Sequence, residues 1–379
     1  MGDVETEDSP KLAVSSPVEY AYLDDADSLA RWVSESRDAM ERSGEKRICL
    51  DTEADSLHHY REKLCLIQVA CAGRFALVDP LAIEDVSGLL SMLDHYEVWF
   101  HGADYDLTML RRTYDWAPSR VFDTQIAARL VGLRQFGYAA LVREILGVEL
   151  SKASQKADWS LRPLPTVMLN YAVDDVNYLL PVAAVLVDQL NVLGRYDWFV
   201  QSCRSLQSDV AARSLEPKED PWRVQGSGRL RGKGMALLRE LWLWRETVAE
   251  KRDLPCYRVM SNKQMISFAD AFEQGSTPMP PRGWRPQWKE AFQSTLDAVE
   301  GMSPEEWPKR PKKPKGRMTE AQRESVDRIL RRRDEVAGAL NIEPSLLGSR
   351  STVEGLVAQP NGESPALMAW QRDALADVL

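Results

Sequence analysis

Two carboxylates, Asp51 and Glu53, stand two residues apart at the end of the apolar run Arg47-Ile-Cys-Leu50. Side chains alternate along a strand, so this spacing sends both to one face. Like charges held that close repel, and one takes up a proton unless something strongly positive sits between them. A divalent metal ion is the natural candidate. Further on, His101-Gly-Ala-Asp-Tyr-Asp106 places a carboxylate just after a short strand, where it can turn into the same cleft. Tyr171-Ala-Val-Asp-Asp175 spaces a phenol and a carboxylate four apart, on one face of a helix. Four carboxylates and a tyrosine can thus converge on one spot.

The elements that must bring them there follow from the apolar pattern. Residues 28–42 are amphipathic and helical. Residues 47–50 and 64–70 are β-rich, and 75–78 follows a turn at Gly73, which together imply an antiparallel meander. Residues 98–101 form another short strand. Helical periodicity returns at 105–112, at 122–130 with Asp123 or Thr124 as cap, at 138–146, and at 166–193 with Gly194 as the stop. This is an α/β domain ending near residue 215. The prolines of Ser214-Leu-Glu-Pro-Lys-Glu-Asp-Pro221 mark a linker.

Two helical blocks follow, separated by Pro308-Lys-Arg-Pro-Lys-Lys-Pro-Lys-Gly-Arg317, a proline-spaced basic run that reads as extended and solvated. The blocks are related. One constant offset aligns Arg245 with Arg333, Val248 with Val336, Ala249 with Ala337, Leu254 with Ile342, Ser261 with Ser349, Met265 with Val353 and Phe268 with Leu356. Apolar positions match apolar positions and the serines match at a turn, so the tail is a duplicated helical domain.

The run Asp51-Thr-Glu53, then His101 to Asp106, then Tyr171-x-x-x-Asp175 resembles the three motifs of the DEDDy 3′–5′ exonucleases. The two helical blocks are similar to paired HRDC domains, an arrangement found in the ribonuclease D family. Phe122-Asp-Thr and Asp158-Trp-Ser-Leu-Arg-Pro-Leu-Pro165 also resemble stretches of that family. The resemblance implies an α/β ribonuclease-H-like exonuclease domain, a mixed sheet flanked by helices, followed by two all-α HRDC-type domains. The expected divisions are an acidic tail at 1–17, the exonuclease domain at 18–215 and a linker at 216–226. The first HRDC domain then covers 227–303, the basic linker 304–317 and the second HRDC-like domain 318–379.

The resemblance also implies a chemistry. The family spacing selects Asp106 over Asp104, which reads as a helix cap, and Asp175 over Asp174, which reads as solvated. Asp51, Glu53, Asp106 and Asp175 would hold two divalent ions, Mg²⁺ or Mn²⁺, as suits all-oxygen ligands. Asp51 would bridge both ions, Glu53 and Asp175 would hold the one that activates water, and Asp106 would complete the second site. Tyr171 would orient the water, since a phenol with an ordinary pKa of about 10 is a poor base at neutral pH. The expected activity is 3′–5′ exoribonuclease action on tRNA precursors or other structured RNA 3′ ends, releasing nucleoside 5′-monophosphates. A DNA exonuclease of repair type fits the same carboxylates, and a non-catalytic nucleic-acid scaffold fits the same fold.

For RNA contact the sequence offers His101, Lys156, Trp159 and Arg162 near the motifs, Arg229, Arg231 and Lys233 ahead of the first helical block, and Lys309, Arg310, Lys312 and Lys313 in the basic run. Each has a structural counterpart reading: a strand-end histidine, a loop packed by Trp159, a solvated basic face. His58 and His59 read as loop. Trp242 and Trp244, beside Leu237, Leu238 and Leu241, read as core.

The net charge of −9 argues against a uniformly basic nucleic-acid binder and leaves local patches as the means of grip. With 44% hydrophobic and 28% charged residues the 379-residue chain is ordinary for folded domains, two or three in number. Five cysteines without a Cys-x-x-Cys pair read as small buried hydrophobes, and zinc is not expected. The acidic start lacks the apolar segment of a signal peptide and no apolar run spans a bilayer, so a cytoplasmic monomer is expected.

Overall fold

The computed structural model describes residues 18–309, 318–358 and 367–379, with the backbone of residues 13 and 14. Most of the acidic tail, and Arg310, Lys312 and Lys313 of the basic run, lie outside the described residues.

Strands β1 (Ala13–Val14) and β2 (Ala21–Leu23) open the chain. Helix α1 (Ala26–Ser43) is started by Asp25, whose carboxylate accepts from the Ser28 N–H at 2.8 Å, and stopped by Gly44 in the left-handed region. A cap of this kind contributes about 1 kcal/mol. Strands β3 (Arg47–Ala54), β4 (Leu64–Cys71) and β5 (Arg74–Val78) form the antiparallel meander that the apolar spacing implies. After them come α2 (Ser87–Leu93), β6 (Glu97–Phe100), α3 (Asp104–Tyr114), β7 (Val121–Asp123), α4 (Thr124–Val131) and α5 (Tyr138–Leu146). The series ends with β8 (Val148–Glu149), α6 (Thr166–Asn177), α7 (Leu179–Val192) and α8 (Tyr196–Ala212).

Among the described residues, six strands make one mixed sheet in the order β2-β5-β4-β3-β6-β7, with β3–β6 and β6–β7 parallel. Residues alternate along β3 as the pleat requires. Ile48 and Leu50 pack with Leu29, Trp32 and Met40 of α1 and Leu107 and Leu110 of α3 on one face. Cys49 faces Leu130, Leu141, Leu186 and Phe199 on the other. Each such fully buried side chain contributes about 1.5–3 kcal/mol. Asp51 and Glu53 continue the Cys49 side, and the ladder with β4 is irregular between Glu53 and Ala54, where a bulge re-aims the strand end.

Two expectations needed correction. The apolar stretch 166–193 is two helices, α6 and α7, because Tyr178 (φ −98°, ψ 0°) leaves helical geometry between them. Residues 122 and 123 belong to a three-residue strand, β7, and the helix starts only at Thr124, with Asp123 as its cap.

The chain divides into two compact units. One comprises Met1–Ala54, Leu64–Arg213 and Arg317–Leu379; the other comprises Asp55–Lys63 and Ser214–Gly316. In the second, α9 (Gly232–Arg252), α10 (Cys256–Val259), α11 (Asn262–Glu273) and α12 (Pro286–Glu300) enclose Leu237, Leu238, Leu241, Met265 and Phe292. Trp244 stands in an aromatic cluster with Trp284 and Trp288, ring centroids 5.5 and 6.3 Å away. Asp253 holds residues 55–63, accepting from the Tyr60 N–H at 3.1 Å and meeting His59 Nδ1 at 2.7 Å.

The third helical block, α13 (Glu320–Leu340), α14 (Arg350–Ala358) and α15 (Ala369–Ala374), is part of the first unit. Ala337, Ile342, Leu347 and Trp370 share the core of Leu186, Leu190 and Phe199, and Trp370 stacks on Trp198 with centroids 4.8 Å apart. Arg195 donates to the Leu130 carbonyl at 2.7 Å and the Leu340 carbonyl at 2.8 Å, and Arg129 pairs with Glu343 at 2.6 Å.

The internal repeat holds atom for atom. Arg245 donates to the Met260 carbonyl at 3.4 Å and Arg333 to the Gly348 carbonyl at 3.0 Å. Asp253 and Asn341 both end their helices in the left-handed region, at φ 48° and 52°. The N–H groups of Leu254 and Ile342 return to the carbonyls of Ala249 and Ala337, each at 3.0 Å. Ser261 and Ser349 accept from the N–H three residues on, at 3.2 and 3.1 Å.

Candidate active site

Asp51, Glu53 and Asp175 offer carboxylate oxygens that all lie within 4.8 Å of one another, half-buried at the floor of a cleft of about 500 Å³. Strand pleat delivers the first two and one helical turn of α6 delivers Asp175 beside Tyr171. The phenol of Tyr171 hydrogen-bonds to the Asp175 carboxylate. Asp106 enters the same cleft from the first turn of α3 and accepts from Thr52 Oγ1 at 2.6 Å.

The turn before α3 is built to aim Asp106. Gly102, at φ 80°, takes a backbone shape that side-chain-bearing residues rarely adopt. The Asp123 carboxylate then accepts from the N–H groups of Gly102 and Ala103, both at 2.9 Å, while also capping α4 through Gln125 at 2.7 Å. One carboxylate thereby ties the ends of β6 and β7 together below the site.

The electrostatics are those of a cluster built around positive charge. Burial first, then the charges of Asp106, Asp175 and Glu53, hold the Asp51 carboxyl well above its ordinary pKa. Burial followed by Asp175 and Asp106 pushes Glu53 up to about 9. Burial and the neighbouring Asp174 charge raise Asp175. Asp106 is raised to about 6 by burial, with the Thr52 hydrogen bond opposing the rise. Oxygen-only donors at this density fit hard divalent cations, which replace the protons the carboxylates otherwise take up. Burial and the adjacent carboxylates raise Tyr171 above its ordinary value, so its phenol stays protonated.

Other residues suggested for RNA contact fall into several places. His101 lines the cleft with Nδ1 3.0 Å from Thr124 Oγ1, and burial lowers its pKa, which leaves it neutral. Lys156 is exposed on the loop before α6. Two expectations are corrected. Trp159 is 1% exposed and packs its ring against Tyr171 at 6.1 Å, so it presents no surface to a strand. Arg162 spends its guanidinium on both Asp79 oxygens, at 2.5 and 2.6 Å, and on the carbonyls of Cys65, Trp159 and Leu161. Both residues shape the loop over Tyr171.

In the helical unit, Arg229 pairs with Asp270 at 3.2 Å, Arg231 folds onto the carbonyls of residues 228–230, and Lys233 lies 3.6 Å from Glu300. Exposed pairs of this strength are worth about 0–1 kcal/mol and exchange readily for phosphate. The Lys309 backbone carbonyl accepts from Arg223 at 2.8 Å. Asp104 does not cap α3, as its spacing suggested; it pairs with Arg213.

Sequence reasoning passed over several cleft residues: Thr52, Tyr105, Tyr138, Lys152 and Gln155. Among the described lining residues Lys152 brings the one lysine or arginine. It stands in a loop with no periodicity to read, and only its nearness in sequence to Lys156 pointed that way.

Comparison with known proteins agrees with this geometry. Residues 20–191 match a 3′–5′ exonuclease family and residues 235–275 match the HRDC domain. Ribonuclease D of Sphingobium indicum is 30% identical over 339 residues, covering 86% of both chains. Ribonuclease D of Escherichia coli is 33% identical over 226 residues, 59% of this chain and 60% of that protein. The crystal structure of the E. coli enzyme, described as an exoribonuclease involved in structured RNA processing, superposes with a TM-score of 0.68 at 25% identity, covering 96% of this chain and 99% of that one. A protein from Bifidobacterium adolescentis, at 21% identity and TM-score 0.75, shares the fold. With an acidic cleft on an exonuclease sheet and a duplicated helical tail following it in sequence, the chain belongs to the ribonuclease D family of 3′–5′ exoribonucleases.

Proposed function

We propose that this exoribonuclease trims the 3′ ends of structured RNAs such as tRNA precursors, with Asp51, Glu53, Asp106, Asp175 and Tyr171 as its working residues and Mg²⁺ or Mn²⁺ as its two ions. The approach of the Asp51, Glu53 and Asp175 oxygens to within 4.8 Å carries the reading. When bound, divalent ions activate a water and stabilise charge on the leaving oxygen. Asp51, Glu53 and Asp175 would hold one ion, and Asp106 would share in holding the other. Tyr171, protonated, orients the attacking water through its hydroxyl.

Water gives up a proton to solvent as its oxygen bonds to the terminal phosphorus, the bond to the 3′ oxygen breaks, and that oxygen leaves as a hydroxyl with a proton from solvent. The product is a nucleoside 5′-monophosphate. Lys152 and His101 line the path of the terminal nucleotide, and Lys152 pairs with its phosphate. Arg229, Arg231 and Lys233, with Lys309 and the basic run beyond it, contact the RNA backbone without reading sequence. The exonuclease domain at 18–215 supplies chemistry, the first helical domain at 227–303 supplies grip, and the second at 318–379 supplies packing.

The deciding experiment incubates matched single-stranded RNA and DNA 3′ ends with wild type and Asp51→Asn, in Mg²⁺, Mn²⁺ or EDTA. Metal-dependent release of 5′-monophosphates from RNA, lost in the variant, is the expected result. Equal or faster attack on DNA would move the reading to a repair nuclease. Binding of either strand without cleavage in either metal would leave only a scaffold.

A further inference from the structure

Helix α6 stops at Asn177 and α7 begins at Leu179, because Pro181, in the first turn of α7, has no N–H to return to the Asn177 carbonyl. An unbroken helix would join the Asp174 carbonyl to the Tyr178 N–H, four residues on. Here a side chain stands between them. The hydroxyl of Tyr138, at the start of α5, donates to the Asp174 carbonyl at 3.0 Å, and the Tyr178 N–H, which also turns back to the Val176 carbonyl, meets the same phenol oxygen. Pro181 breaks the ladder, and the phenol occupies the gap that the break leaves. The Asp174 carbonyl is one of the four that a helix end leaves without an intrahelical partner, so the phenol also satisfies an otherwise orphaned acceptor.

The pinned peptide is the one that leads into Asp175. Its carboxylate belongs to the trio with Asp51 and Glu53, and its neighbour one turn back is Tyr171. On its other side the Tyr138 ring packs against His101 at 5.4 Å, and both line the cleft. We infer that Tyr138 is a positioning residue: its hydroxyl, seated at the break that Pro181 makes, fixes the peptide from which Asp175 reaches the metal-holding cluster. This rests on the proposed role of Asp175. Tyr138 touches neither the trio nor substrate in this role; it acts through the backbone.

The test uses full-length wild type, Tyr138→Phe and Asp51→Asn. Phenylalanine keeps the ring against His101 and removes only the hydroxyl. Calorimetric titration with Mn²⁺ alone, without RNA, is expected to show affinity about 10-fold weaker in Tyr138→Phe, as loss of a group that orients a metal ligand produces. Turnover on single-stranded RNA should fall at low Mn²⁺ and recover at high Mn²⁺, with KM for RNA unchanged. A folded Tyr138→Phe with wild-type Mn²⁺ affinity and metal dependence overturns the inference. A second reading needs no substitution. Amide exchange at Tyr178 of the wild type should be slow, because its N–H is held by a buried oxygen; exchange at the rate of an exposed helix end also overturns it. Failure of the exonuclease reading looks different. No cleavage by wild type, with Tyr178 protected and Mn²⁺ affinity still sensitive to Tyr138→Phe, would remove the enzyme and leave the positioning role.

Discussion

Thr52 Oγ1 donates to Asp106 Oδ1 at 2.6 Å, joining strand β3 to helix α3 between residues 54 positions apart. Thr52 lies between Asp51 and Glu53 in sequence, so one short segment supplies two carboxylates to the cleft and steadies a third. Thr52→Val conserves shape and deletes the bond. Losing it removes an influence that lowers the Asp106 pKa, now about 6, so that carboxyl should protonate at higher pH. The expected result is about a 10-fold loss of kcat/KM at neutral pH with the acid limb of the profile moved upward, read from initial rates between pH 5 and 9. A profile superimposable on wild type would show that Thr52 only packs.

Metal removal should make stability depend on pH in a particular direction. Glu53 ionises near 9 in the fold, against about 4.3 in an unfolded chain. A carboxyl raised on folding stabilises below its unfolded pKa, and that contribution is lost as pH rises through the folded value. In EDTA the Tm should therefore fall from pH 5 to pH 9, and Mg²⁺ should flatten the fall. Asp51→Asn removes one of the repelling charges and should raise Tm in EDTA at pH 8 by about 2–4 °C for each kcal/mol relieved. A lower Tm for that variant would contradict the charge argument.

Arg162→Ala separates a scaffold from a phosphate contact. Asp79 is 3% exposed, so losing its partner leaves a buried charge unpaired, at a cost of about 3 kcal/mol. Stability by urea unfolding should fall accordingly, and kcat should fall as the loop over Tyr171 loosens. The slope of RNA affinity against salt should not change. A shallower slope would restore Arg162 to the phosphate backbone.

Tyr171→Phe should lower kcat about 10²-fold, in line with the loss of a positioned proton-bearing group, while Mn²⁺ affinity measured by calorimetry stays near wild type. Because the phenol is held above its ordinary pKa, the pH profile of the residual activity should keep the wild-type shape.

Trp370→Ala tests whether the third helical block is interior to the first unit. The indole is 2% exposed against Trp198, and its removal should cost about 3–5 kcal/mol. Deleting 318–379 should leave a protein that aggregates, since Leu186, Leu190 and Phe199 would face water. A soluble, active truncation would show instead that the block is an appendage.

Local periodicity made the heart of the site readable. Asp51 and Glu53 follow from the two-residue pleat, Tyr171 and Asp175 from one helical turn, and the repeat from matched apolar positions. Asp106 needed more, because a carboxylate after a strand points nowhere until Gly102 and Asp123 set the turn. Long-range partners stayed hidden. Arg162 looks like a phosphate contact until Asp79, 83 residues away, is brought to it. The break at Tyr178 follows from Pro181, three residues on, which the apolar reading of 166–193 passed over.

The repeated arginine tie has a consequence for how freely each copy can drift. In both copies the same guanidinium closes the same corner, at Met260 and at Gly348. Around α9 that corner is bordered by exposed positions such as Leu243, where new side chains can be tried at little cost to the helical core. Around α13 the residues after the corner are wedged against Gly132, where even an added methyl would meet the Asn341 carbonyl at 2.5 Å. A library of random substitutions should find the first copy permissive and the second nearly as intolerant as the catalytic fold, so new RNA specificities would arise by changing the first.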